Sequence, residues 1–313
     1  MSYQARIRVA FMVAILMLTT GCAAGEKQES KPTTQTVANT GDEFTVRHPA
    51  AQGFYPADAQ ELKAMVDDML ARAGKVGEKE VVAIVTPHAG YPFSGSVAAT
   101  AFRYAANRVI TTVVIIGPSH HVAFPGFAIW SHGTWDMPGF EVTVDSDFAK
   151  LLLDDGAVKA SVEPHLPEHS LELQLPFIHA LFPQARIVPI VAGITSHAEA
   201  QKLAQSLVKT VRSRNDVLLV STCDLSHYHP RTQAQKLDDR AAELIASFDG
   251  DKLLAADTNG EIEIDAPEVI ALTQDYARAM GAHTAKVLMR RDSGDATGDA
   301  SSVVGYGAFA FEK

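Results

Sequence analysis

Three short stretches carry side chains suited to holding a metal ion or moving a proton: PHAGY with His88, GPSHH with His120 and His121, and CDLSH with Asp224 and His227. Imidazole ligates transition metals and titrates near neutrality, and a carboxylate beside it adds a harder donor or a charge partner. A fourth stretch, EHSLE, is expected to open a helix, which would set His169 and Glu172 on one face at a spacing of three. Its alternative is a helix-start cap and a solvated pair. With 12 histidines in the chain, some fall near strand ends by chance, so position must carry the argument.

Position follows from the elements around them. Apolar, β-branched runs beginning at Val81, Thr111, Arg186 and Asp216 predict strands, and they alternate with segments of helical spacing at 57–74, 96–107, 169–182 and 198–213. Such alternation predicts an α/β fold with a largely parallel sheet buried on both faces. Open sheets of this kind bind ligands beyond the carboxyl ends of their strands. His88, His120 with His121, and Asp224 with His227 each follow such an end.

The chain has 313 residues, 47% of them hydrophobic, and a net charge of -10. That acidity argues against nucleic acid as a partner, since phosphate binding needs a basic face. Residues 1–22 read as a lipoprotein-type signal segment: Arg6 and Arg8, the apolar run Val9–Leu18, then small residues before Cys22. The run is too short to span a bilayer as a mature helix. Cys22 is the expected lipidation site, which implies a membrane contact through an N-terminal lipid and a place in the bacterial cell envelope, facing the periplasm or exterior. Residues 23–40 lack apolar periodicity and are expected to form a disordered tether. Residues 41–313 are expected to be one domain.

PHAGY, GPSHH, EHSLELQLPF and DLSH occur in this order between VRHPAAQGFYP at Val46 and SSVVGYGAFAF near the end. In these motifs the chain resembles the Memo-like family, whose bacterial members are called AmmeMemoRadiSam system protein B and which is related to class III extradiol dioxygenases. The resemblance implies a single-domain, three-layer α/β sandwich with a central, largely parallel or mixed sheet. It also implies a metal pocket at the place where the dioxygenases hold non-haem Fe2+, with Cu or Zn as alternatives. Matched by motif, His88 and His120 are the implied metal ligands, and Asp224 and His227 the pocket's acid and imidazole. His121 is expected to face another way, in packing or a supporting role.

One departure from the family concerns its third ligand, commonly a Cys followed by Gly-x-x-Pro. Here the segment reads EIEIDAPEVIAL, and counting back four from Pro267 reaches Glu263, with Asp265 as the fallback. Two imidazoles and one carboxylate would match a non-haem Fe(II) facial triad with open positions. His227 is then the expected acid-base residue, with Asp224 orienting or charging it. Two other readings remain open: a metal-binding or interaction protein without a reaction, and a hydrolase using Cys223 with His227 and Asp224. The family's bacterial name implies AMMECR-like and radical SAM partners, but those would be cytosolic, whereas this chain is expected to be exported.

Overall fold

The computed structural model describes residues 46–212 and 214–313; the leader 1–22 with Cys22, and the tether 23–40, lie outside them. Val46–Arg47 (β1), Ala59–Arg72 (α1), Val81–Thr86 (β2), Tyr91–Ala105 (α2), Thr112–Pro118 (β3), Phe127–Ile129 (β4), Thr134–Met137 (β5) and Phe140–Thr143 (β6) come first. Ser146–Asp154 (α3), Lys159–Ala160 (β7), Leu175–Leu181 (α4), Arg186–Ala192 (β8), His197–Val211 (α5), Val217–Thr222 (β9) and His227–His229 (β10) follow. Arg231–Ala246 (α6), Gly250–Asn259 (α7), Pro267–Ala279 (α8), Thr284–Asp292 (β11), Gly294–Thr297 (α9) and Val303–Glu312 (β12) complete the chain.

The main sheet runs β10-β12-β2-β9-β3-β8-β4-β7, with β11 paired to β12. Its centre is parallel, as the apolar runs predict: β9 pairs in parallel with both β2 and β3, and β3 with β8. Towards the margins it becomes mixed, because β12 runs antiparallel to β2 and β4 antiparallel to β8. Side chains of β3 alternate between two cores. Val114 and Ile116 face the core built with α3, α5, α6, α7 and α8, while Val113 and Ile115 face the core built with α1, α2 and α4. A strand covered on both faces reads as an unbroken apolar run, and the result is a three-layer α/β sandwich.

Helix starts follow local chemistry. Ser196 and Glu199 form a capping box on α5, and Asp58 accepts the free amides of Gln60 and Glu61 at α1. The EHSLE segment departs from expectation: a 3-10 turn covers Glu172–Gln174 and regular helix begins only at Leu175. Pro176 explains this, since it has no N–H to donate and is tolerated only in a first helical turn.

Candidate metal centre

Because β2, β9 and β3 are parallel and adjacent, their carboxyl ends lie side by side, with Thr86 opposite Thr222 and Ile116 opposite Ser221. His88, His120 and Asp224 each lie two residues beyond the end of their own strand, so register alone brings them together. Gly117 permits the tight fit here. A Cβ at that position would stand 2.5 Å from Thr222 Cγ2 and 2.9 Å from Ser170 Oγ.

His88 is 2% exposed. Its amide donates to Asp224 Oδ1 at 2.9 Å, its Nδ1 meets Thr222 Oγ1 at 2.8 Å, and its Nε2 lies 2.8 Å from Asp265 Oδ2. His120 Nδ1 is held by Glu168 Oε1 at 2.9 Å, and its Nε2 looks towards the same Asp265 oxygen from 3.8 Å. His169 stacks on His120 with ring centroids 4.6 Å apart. Asp265 Oδ2 is buried and faces Nε2 of both His88 and His120, so the three side chains converge on one point.

The third donor expected from the sequence, Glu263, lies elsewhere. Its carboxylate accepts the His227 amide at 3.2 Å and meets His229 Nε2 at 3.1 Å. Asp265, the fallback, is the carboxylate beside His88 and His120. This placement has a physical cause: the loop before α8 is pinned where the Asp265 amide donates to the Asp224 carbonyl at 3.2 Å and the Asp224 amide donates to Asp265 Oδ1 at 3.1 Å. Two residues upstream along an extended segment is a displacement of about 6–7 Å, enough to carry Glu263 past the strand end to β10.

Asp224 is buried and holds the His88 backbone, while its carboxyl lies close enough to feel the charge of His227. His227 is half-buried in β10, beside Tyr228, whose φ of 60° is unusual for a residue with a side chain. His121 is exposed, its ring 6.0 Å from that of His169. His169 and Glu172 do not share a task. Glu172 is fully buried on the far side, where it accepts from Arg47 Nη1 at 2.5 Å, the amides of Ala50 and Ala51, and the Tyr55 hydroxyl.

Two important side chains escape sequence reading. Glu168, buried, accepts the His120 amide and Nδ1 together with the amides of His169 and Ser170. Gln174 donates to Pro87 O, Ser170 O and Thr222 Oγ1 and accepts from Thr86 Oγ1, tying the ends of β2 and β9 to the EHSLE turn. Only Glu168 left a trace, as an acid directly before the histidine of EHSLE.

Charge is balanced within the cluster. Burial disfavours a charged His120, but Asp265 and Glu168 outweigh it and raise its pKa to about 10. Burial likewise works against a charged His88, yet Asp265 and Asp224 raise it. Asp265 and Glu168 are lowered despite burial, because of their histidine partners. Burial raises Asp224, against the pull of His88. Burial and the charges of His120 and His88 depress His169 to about 3, which keeps its imidazole neutral. Burial and the Asp265 carboxylate push the Cys223 thiol well up, so it is no nucleophile, and a hydrolase built on it is not supported.

Among the described residues, donor atoms that can take a metal ion fall into three overlapping groups: His88, His120 and His169; His88, Asp224 and Asp265; and His121, Glu168 and His169. The comparison with known proteins agrees with the motifs that surround them. The family model for Memo-like protein matches residues 47–310. The chain belongs to the Memo-like family. A MEMO1 family protein of Methanopyrus kandleri is 34% identical over 281 residues, covering 85% of this chain and 99% of that protein. MEMO1 family proteins of Ignicoccus hospitalis and Methanobrevibacter smithii are 35% and 31% identical, over 85% of this chain and 98% and 100% of theirs. The Memo-like segment thus contains all of the clustered donors.

Proposed function

We propose that this Memo-like protein holds one transition-metal ion through His88, His120 and Asp265, iron in the first place, and acts on a small molecule as a non-haem iron oxidoreductase. The observation that carries the proposal is the convergence in a buried place of Asp265 Oδ2, Nε2 of His88 and Nε2 of His120. A buried carboxylate is costly unless a cation or proton faces it, and beside Asp265 that role falls to the two imidazoles as imidazolium or to a metal ion that displaces their protons. The donor set fits the metal: two imidazoles and a carboxylate suit Fe2+, and also Zn2+ or Cu2+. When bound, such an ion supplies Lewis acidity and, if iron, redox chemistry at its open positions.

The chain's own residues prepare that site. Glu168 fixes the His120 ring through Nδ1, and Thr222 does so for His88, leaving each Nε2 pointing inward. Asp224 holds the His88 backbone in place. His227, half-buried and near enough to Asp224 to act on its carboxyl, is the proton carrier, taking or giving a proton on a substrate hydroxyl. Substrate access runs past His120 and His169, whose side chains are 24% and 16% exposed, whereas those of His88 and Asp265 are 2% and 5%. That enclosure also favours a second reading, a protein that binds metal without turning over a substrate.

The test is metal analysis of anaerobically purified protein, followed by oxygen consumption with aromatic diols. His227→Gln should keep the metal and lose turnover by about 100- to 10,000-fold. Iron-loaded protein that consumes no oxygen with any such substrate would favour the binding reading. We also propose attachment to the cell envelope through Cys22, which separates this chain from cytosolic AMMECR-like and radical SAM proteins.

A further inference from the structure

We infer that the chain carries a second metal site, formed by His121, Glu168 and His169, for a divalent transition-metal ion beside the first. One donor atom from each lies within 4.8 Å of the other two, and none of the three belongs to the His88, His120 and Asp265 set. The inference therefore goes beyond the proposed function and stands on separate donors.

The site has a rigid floor and one adjustable wall. Glu168 is buried, and its Oε1 is engaged by His120 Nδ1 and by the amides of His169 and Ser170. Its Oε2 accepts a single hydrogen bond, from the His120 amide at 2.6 Å. A carboxylate offers about four lone-pair positions, so Oε2 keeps one for a cation. The His169 ring is fixed between Phe54, at 4.7 Å, and His120, at 4.6 Å, with Nδ1 3.4 Å from Glu168 Oε1. His121 is exposed and free to swing its ring onto an ion from the solvent side. Its chemistry repeats the first site's, two imidazoles with one carboxylate and open positions, and selects Fe2+, Zn2+ or Cu2+ over Mg2+ or Ca2+.

This gives the adjacent histidines of GPSHH separate work. The His120 and His121 rings are 6.4 Å apart and turn to different donors, Asp265 for one and His169 with Glu168 for the other. Glu168 joins the two sites, steadying His120 through both oxygens and offering the remaining lone pair of Oε2 to the second ion. The two ions repel one another, and the second, held in part by the exposed His121, is the weaker bound of the two.

Equilibrium dialysis of the full chain against Zn2+, and separately against Fe2+ without oxygen, followed by metal analysis, tests this. Wild type should hold two ions, His121→Ala one, Asp265→Asn one, and the double variant none. His121 is exposed, so its removal does not threaten folding. His132→Ala serves as a surface-histidine control and should keep two. A wild type with one ion that survives in His121→Ala and is lost in Asp265→Asn overturns this inference and leaves the proposed function standing. One ion lost in His121→Ala and kept in Asp265→Asn does the opposite. A His121→Ala variant that still binds two, or a His132→Ala variant that loses one, marks the extra ion as surface binding and overturns the second site.

Discussion

Removing the negative charge from Glu172 should cost the fold about 3–5 kcal/mol, the usual penalty for stranding one member of a buried ion pair. Both Glu172 and Arg47 have fully buried side chains, and their ends approach to 2.5 Å. In Glu172→Gln the guanidinium remains, buried and held over the Trp135 ring at 4.2 Å, without its anionic partner. For a domain of this size each kcal/mol shifts Tm by roughly 2–4 °C, so the variant should melt roughly 6–20 °C below wild type. Thermal and urea unfolding by circular dichroism give the two readouts. A local effect should accompany them, since Arg47 also donates to the carbonyls of His165 and Glu168 and so positions the EHSLE turn. Amides of His169 and Ser170, which point at Glu168, should then exchange faster with solvent. A loss below about 1 kcal/mol would refute the reasoning, because it would mean that the buried guanidinium finds another anion or water.

Three further outcomes are expected. Asp265→Asn should lose the first-site ion while Glu263→Ala keeps it, as read by metal analysis; the reverse result would restore the register counted from Pro267. His165, buried between Trp130 and Trp135, is depressed to about 3 by burial and by Arg47. The unfolded chain protonates this histidine below about 6.5 and the folded chain does not, so its contribution falls by about 1.4 kcal/mol per pH unit as pH drops from about 6.5 to 3, and is flat above. His165→Phe should flatten that part of a Tm-against-pH curve; an unchanged acid slope would assign it to other groups. Replacing Cys22 with Ala should release the protein from membranes or leave an unprocessed precursor, and unchanged fractionation and migration would rule out the lipid anchor.

The sequence made the strand ends legible because β2, β3, β8 and β9 are buried on both faces and stand out as apolar runs. His88, His120 and Asp224 were found for that reason: each follows such a run closely, and parallel register does the rest. Asp265 was harder to choose, since a loop between α7 and α8 has no periodicity to set its register. The choice against Glu263 depends on the paired hydrogen bonds between Asp224 and Asp265, a contact between segments 41 residues apart in sequence. Gln174 gave no signal because a buried glutamine looks like an exposed one until its partners are in place. His169 and Glu172 parted company because Pro176 replaced the expected first turn with a 3-10 turn.

The donors come from four separate stretches of chain, from His88 to Asp265, and this has a consequence for when metal can enter. In the unfolded chain they are scattered single ligands with little chelating power, so an ion binds the native state almost alone and stabilises it by mass action. Parallel strands joined by long crossovers are slow to assemble, and the donor cluster is complete only when β2, β3 and β9 have paired and the loop before α8 has docked on Asp224. Metal would therefore be acquired last, from whatever supply exists in the compartment where folding finishes. The ion found in the purified protein would report that compartment's metal pool as much as the preference of the site.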